Sequence, residues 1–229
     1  MRHANEAALV RETKAMMSEL MPVASPDDVH QYIAMSLQTQ GWCIVPDYLP
    51  TVVVAALRND LLQQWQQGDF KLAAIGRSNG LSVDQSIRGD QLKWLNSESM
   101  TAAQECYWQA MNNLRLQLNR QLYLGLVEYE AHQSLYAAGA HYRRHCDQFH
   151  GIDLREVTVI LYLNDAWLEE DGGHLLLYKD METEQVLRRI LPQAGQLVVF
   201  LSAEFPHEVS PAMRQRLSIT GWFKKRAIG

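Results

Sequence analysis

The runs VTVILYLN (157–164), HLLLY (174–178), GQLVVFL (195–201) and RLSITGWF (216–223) decide the fold. Each is shorter than an ordinary helix and rich in β-branched and aromatic residues, which favour strands. The turn signals Asp171-Gly172-Gly173 and Pro192-Gln193-Ala194-Gly195 stand between them. The last run alternates, with Leu217, Ile219 and Phe223 on one face and Arg216, Ser218, Thr220 and Trp222 on the other. VTVILYLN places Tyr162 on the side of Thr158 and Ile160. There its phenol either donates a hydrogen bond into the interior or sits at the rim of a core.

Upstream the pattern is helical. Residues 5–21 carry Ala8, Leu9, Met16, Leu20 and Met21 among charges, and Pro22 to Pro26 ends that segment. Asp27 or Asp28 is placed to cap a second helix running to about Gln40. Gly41 to Val45 reads as a short strand ended by Pro46. Helices are expected over 51–67, with Val54, Leu57, Leu61, Leu62 and Trp65 at helical spacing, and over 99–120, with Tyr107, Met111, Leu114 and Leu118 on one stripe. An aromatic stripe at that spacing belongs to a core rather than to a cofactor site. Helices first and strands after predict a mixed, mainly β fold, with helices of the N-terminal half packed outside a β-sandwich or jelly roll. There is no internal repeat, low-complexity tract or linker, so residues 1–229 read as a single domain. Residues 1–40 form its helical extension and 41–223 its body.

Composition narrows the function. The formal net charge is −5, from 21 Lys and Arg against 26 Asp and Glu. Such a chain is a poor general binder of nucleic acid, which needs clustered cations. The dense basic run Lys224-Lys225-Arg226 reads as a solvated tail. Three cysteines, Cys43, Cys106 and Cys146, with no CxxC pair, argue against a disulfide framework or a zinc knuckle. No apolar run approaches the roughly 20 residues that span a bilayer, and the N-terminus lacks a signal-peptide pattern. A reduced, cytoplasmic protein with no membrane partner is the expectation.

The segment HYRRHCDQFH (141–150) places His145 and Asp147 two apart, and on a strand both would point to one side. His207, in EFPHEVSP (204–211), is the candidate third ligand. Two histidines and one carboxylate on one face of a metal leave the opposite positions open, as in non-haem iron(II) oxygenases. HxD alone is a common chance match. His132, His141, His150 and His174 are rival ligands whose plainer reading is a hydrogen-bonded or exposed imidazole. Arg216, nine residues after His207, sharpens the signal. A guanidinium pointing into a β-core is costly unless it meets an anion, and a dicarboxylate cosubstrate supplies one through a bidentate fork. An exposed edge strand with Arg216 in water is the other reading that the strand alone allows.

Together HCD (145–147), YLN (162–164), DGGHL (171–175), PHEVSP (206–211) and RLSIT (216–220) resemble the prolyl 4-hydroxylase branch of the iron(II)- and 2-oxoglutarate-dependent oxygenases. IGRSNG (75–80) followed by IRGDQLKWL (87–95) is similar to the mobile substrate-covering loop and strand of the hypoxia-inducible-factor prolyl hydroxylases and their bacterial relatives. The resemblance runs from about Gly41 to Phe223. It implies a double-stranded β-helix, the jelly roll of cupin-like folds, with supporting helices on one sheet. It assigns iron to His145, Asp147 and His207, and the distal carboxylate of 2-oxoglutarate to Arg216 with Tyr162 and Thr220 in support. Tyr136 stands where the family has an active-site tyrosine, although its spacing to His145 is one residue shorter than in the animal enzymes. Arg155 and Trp222 correspond to residues near the target proline, and Arg88 and Asp90 to the loop that closes over the substrate peptide. The implied activity consumes O2 and 2-oxoglutarate, releases succinate and CO2, and hydroxylates a prolyl residue at C4 in a protein substrate. Ascorbate is the expected reductant, and the bacterial relatives point to elongation factor Tu as a target. Two other classes stay open: a 2-oxoglutarate oxygenase of a free amino acid or small metabolite, and a non-enzymatic metal-binding jelly roll.

Overall fold

The computed structural model describes residues 26–73, 84, 86–148 and 154–226. The helix expected over 5–21, the segment IGRSNG and the rival ligand His150 lie outside the described residues. Chain order is α1 (Pro26–Gln40), β1 (Trp42–Val45), α2 (Thr51–Gln66), β2 (Lys71–Leu72), β3 (Asp90–Trp94), α3 (Ala102–Leu122), β4 (Leu126–Tyr136), β5 (Tyr142–His145), β6 (Arg155–Tyr162), a short 3-10 turn (Glu169–Asp171), β7 (Leu175–Tyr178), β8 (Val186–Ile190), β9 (Leu197–Leu201), β10 (His207–Val209) and β11 (Arg216–Lys225). A seven-stranded sheet runs β1-β9-β6-β11-β4-β3-β2, and a four-stranded sheet runs β5-β10-β7-β8. Among the described residues every pairing between these strands is antiparallel.

The helices cover one face of the larger sheet. In α3 the expected stripe of Tyr107, Met111, Leu114 and Leu118 is fully buried, and α2 contributes Leu57 and Leu61. Against them pack Val157, Val159 and Leu161 of β6 with Leu217, Ile219 and Phe223 of β11, all in one apolar cluster. Thr101 and Gln104 form a capping box that starts α3, and Tyr123 ends it at φ 55 in the left-handed region. Helix α1 joins the same cluster through Ile33, Ala34 and Leu37, so residues 26–40 are part of the body and not an appendage. Asp27 and Asp28 lie inside the first turn of α1, where they complement its dipole, and not at the cap.

The other face of the larger sheet meets the smaller one across a second cluster that includes Ile160, Tyr162, Leu175, Leu177, Val198 and Phe200. The two expected faces of β6 and β11 therefore go to different places: one to the helices, the other to the space between the sheets. The basic run does not form a tail. Lys224 and Lys225 end β11, with Lys224 Nζ 3.0 Å from Glu128 and 3.3 Å from Glu130, and Lys225 Nζ 2.8 Å from Glu156. Among the described residues no helix is long and apolar enough to cross a membrane.

Candidate active site

His145, Asp147 and His207 converge, with one ligand atom from each lying within 4.8 Å of the others. Strand pairing does most of this: β10 lies beside β5 with His207 directly opposite His145. The HxD pair is not a same-side pair on one strand, as the spacing suggests. β5 ends at His145, and a bend after it turns Asp147 inward. Each imidazole is fixed by its Nδ1. That of His145 lies 2.8 Å from the Arg143 carbonyl and that of His207 3.0 Å from the Phe205 carbonyl. With Nδ1–H donating to those carbonyls, both Nε2 lone pairs are free to face a metal. The Nε2 atoms stand 3.7 Å from Oδ1 and Oδ2 of Asp147 respectively.

The charge states suit metal binding. Burial pushes the His145 imidazole down to about 3, so it is neutral at physiological pH. Burial raises the Asp147 carboxyl, but the imidazoles of His207 and His145 outweigh that and hold it near 2. An anionic carboxylate and neutral imidazole are the required ligand forms. Three residues that the sequence reading did not select support the ligands. Thr158 Oγ1 donates to Oδ2 at 2.8 Å and is itself 2.8 Å from Ser202 Oγ. Tyr142 stacks on His145, with ring centroids 3.6 Å apart.

The wall opposite the triad is the inward face of the larger sheet, and its register orders the predicted residues in rungs. Asp90, Tyr136 and Arg216 form one rung, and Ser134, Ser218 and Tyr162 the next. Trp94, His132, Thr220 and Ile160 follow, and then Trp222 beside Thr158. Arg216 is fully buried on a central strand, which removes the edge-strand reading. Its Nε donates to the Gly173 carbonyl at 2.7 Å, and its guanidinium lies 5.1 Å and 5.0 Å from the ring centres of Tyr136 and Tyr162. Among the described residues no carboxylate pairs with it, and the buried Tyr162 hydroxyl has no hydrogen-bond partner. A buried cation beside an unpartnered donor fits the carboxylate of 2-oxoglutarate. Thr220 shares this face but stands four residues along β11, a span of about 13 Å, toward the rung of Thr158. Gly173 is in the left-handed region at φ 63, and a Cβ there would stand 3.0 Å from Arg216 Cδ, so the DGG turn sets the guanidinium's position.

His145, Asp147 and His207 line one cavity of about 800 Å³ together with Tyr136, Arg216, Thr220 and Trp222. On its outer side Arg88 holds the fully buried Asp90 in a bidentate pair, at 2.6 and 3.0 Å. Arg88 also lies over the Tyr142 ring at 4.6 Å. Arg155 lies 3.7 Å over the Trp222 ring and donates to Glu130 at 2.9 Å. The three rival histidines among the described residues have other partners. His132 is 2.9 Å from Ser134 Oγ, His174 is buried 3.2 Å from Glu169, and His141 is 3.2 Å from the Ser86 carbonyl.

The 2OG-Fe(II) oxygenase superfamily profile matches residues 131–224, from the middle of β4 into the last residues of β11. Human Egl nine homolog 1 is 28% identical over 202 residues, which are 84% of this chain and 46% of that protein. The chain thus spans about half the length of the curated relatives of that name. Among solved structures, a Pseudomonas putida prolyl-4-hydroxylase is 40% identical with a TM-score of 0.77, covering 86% of this chain and all of that one. A Trichoplax adhaerens prolyl hydroxylase, solved with a hypoxia-inducible-factor peptide fragment, is 28% identical with a TM-score of 0.79, covering 87% of this chain and 90% of that one. A likeness of this extent, over a chain whose cavity joins a His-Asp-His cluster to a buried arginine, places the protein in the 2OG-Fe(II) oxygenase superfamily, in its prolyl hydroxylase branch, whose metal is iron(II) and whose cosubstrate is 2-oxoglutarate.

Proposed function

We propose that this enzyme hydroxylates a prolyl residue, at C4, in an extended or loop segment of another protein. The carrying observation is that Arg216 and the His145–Asp147–His207 cluster share one cavity, which continues past Arg88 to Lys71 and Trp94 at the sheet edge. A free amino acid would leave that outer half unused. In this reading His145, Asp147 and His207 hold the iron, and three protein ligands leave the remaining positions open. When bound, iron and 2-oxoglutarate supply an O2-dependent oxidation that releases succinate and CO2, with ascorbate as the reductant that keeps the metal reduced.

The chain's own residues position and protect. Arg216 fixes the distal carboxylate through its terminal nitrogens while the Gly173 carbonyl locks Nε. Tyr162 donates its unpartnered hydroxyl to the same carboxylate, and Tyr136 closes that end of the pocket. Thr220, displaced along β11, supports the metal-proximal side of the cosubstrate. Thr158 and Ser202 hold the Asp147 carboxylate in one orientation. Trp222 under Arg155 forms the apolar floor for the proline ring, and Arg88 with Asp90 anchors the segment that covers the substrate. Elongation factor Tu is the candidate substrate, on the resemblance to bacterial relatives.

The test deletes residues 77–86 and follows two reactions. Peptide-coupled turnover is expected to collapse while uncoupled 2-oxoglutarate decay survives, because water exclusion and substrate cover are lost but the metal site is not. If both persist at wild-type rates, the protein-substrate reading loses its support.

A further inference from the structure

We propose that the cavity mouth selects substrates whose target residue is flanked by aspartate or glutamate, with Lys71 and Arg143 as the specificity-determining cations. The inference rests on the protein-substrate reading above and deepens it.

The cavity lining carries seven lysines and arginines against two aspartates, Asp69 and Asp147, in a chain whose formal net charge is −5. Loading does not remove this excess, since a divalent metal and a dianionic cosubstrate cancel. Most of the cations are already matched. Arg88 is held by Asp90 at 2.6 Å, Lys93 by Asp69 at 2.6 Å, Arg144 by Glu184 at 2.6 Å and Arg155 by Glu130 at 2.9 Å. Arg216 faces the cosubstrate. Lys71 and Arg143 differ: both are exposed, both line the cavity, and among the described residues neither has a carboxylate within ion-pair distance. Asp84 feels Arg143 but lies beyond that distance.

Their placement brackets the entrance. Lys71 is on β2, the edge strand of the larger sheet, and Arg143 is on β5 at the edge of the smaller one. Arg88 bridges to Tyr142 beside Arg143, and the Arg143 N–H donates to the Ile87 carbonyl at 2.9 Å. A segment entering toward the metal therefore passes between two positive charges on opposite sheets, neither of which has an ion-pair partner among the described residues. A cleft with low-dielectric walls focuses that field outward and concentrates oppositely charged ligands.

The test uses the full chain loaded with iron(II) and 2-oxoglutarate and a library of proline-centred peptides randomised at the flanking positions. Oxygen gained on proline is located by mass spectrometry in air, and peptides retained on immobilised protein are sequenced under nitrogen. Acidic residues are expected to be enriched about fivefold, the ratio for two exposed ion pairs, and the enrichment should fade at about 0.5 M salt. The double variant Lys71→Glu/Arg143→Glu should invert the preference toward lysine and arginine. The single variant Lys71→Glu, which leaves Arg143 and its carbonyl on His145 untouched, should weaken the acidic preference while its half-saturating 2-oxoglutarate concentration in uncoupled succinate release matches wild type, which shows that the fold and the metal site are intact. Equal retention of acidic and basic peptides, or an acidic preference that survives in the double variant, overturns the proposal. Acidic enrichment without any oxygenated proline upholds the charge selection and sinks the prolyl reading, so the two failures are separable.

Discussion

Replacing Arg216 with alanine should sharply reduce the stabilisation that 2-oxoglutarate confers while leaving the unliganded protein folded. In the unliganded protein the guanidinium is almost fully buried and has one hydrogen bond, from Nε to the Gly173 carbonyl at 2.7 Å, with no carboxylate partner among the described residues. Truncation loses that bond and some packing against Tyr136 and Tyr162, but it also removes a buried unpaired charge, and the two effects oppose each other. The liganded protein has no such compensation. Charged hydrogen bonds to a carboxylate are worth about 1.5–3 kcal/mol, roughly ten- to more than hundredfold in affinity. At a ligand concentration of about 100 Kd, wild type gains about 2.7 kcal/mol of stability, and a hundredfold weaker site gains about 0.4 kcal/mol. Thermal or denaturant unfolding with and without 2-oxoglutarate, in metal-loaded protein, reads this directly and needs no turnover. Arg216→Lys should recover only part of the gain, since an ammonium lacks the fork. Equal ligand-induced stabilisation in wild type and Arg216→Ala would refute the assignment of the distal carboxylate to this residue.

Other consequences follow from single contacts. Thr158→Val removes the hydroxyl that holds Asp147 Oδ2 at 2.8 Å, and iron affinity should fall about 10- to 100-fold, as measured by metal titration; an unchanged affinity means that the Asp147 orientation is set elsewhere. Gly173→Ala forces a side chain into the left-handed region at φ 63 and against Arg216 Cδ. It should cost about 1–2 kcal/mol in unfolding experiments and raise the 2-oxoglutarate requirement, and a loss of stability alone would separate the turn from the cosubstrate site. Burial pushes the His132 imidazole down to about 4, so between that value and the unfolded value near 6.5 the unfolded chain binds more protons. The His132 share of stability is therefore complete above about pH 6.5 and falls by roughly 3 kcal/mol as the pH drops to 4. His132→Gln should flatten the stability–pH curve in that window, and an unaltered slope would show that His132 is protonated in the fold.

The strands β6, β7, β9 and β11 are readable from the sequence because they face a core on at least one side and carry the β-branched runs that such faces need. The face carrying Arg216, Ser218, Thr220 and Trp222 is readable for the same reason, since alternation survives where the opposite face meets helices. β4 is a central strand too, yet EYEAHQS hides it. Its inward residues His132 and Ser134 are polar because they line the cavity, and the polar Gln133 is buried on the helix side, so the usual contrast between faces is lost. β8 shows four exposed residues at a sheet edge and has no pattern to find. The candidate metal ligands are legible as residue types, but their convergence depends on a bend after His145 and on the β5–β10 register, which are long-range outcomes. Thr158 looks like any strand threonine, and its bond to Asp147 comes from tertiary packing alone.

The most direct test of the central claim compares proteins from cells carrying the intact gene with proteins from cells carrying the Asp147→Ala chain, searching every peptide for one added oxygen atom on proline. At least one proline, in an acidic segment, should be converted to 4-hydroxyproline in the first sample and remain unmodified in the second. Purified enzyme should then modify that segment with one succinate released per proline. Identical proline oxidation in the two samples, while the purified protein still releases succinate from 2-oxoglutarate, would contradict it and move the substrate away from protein-bound proline.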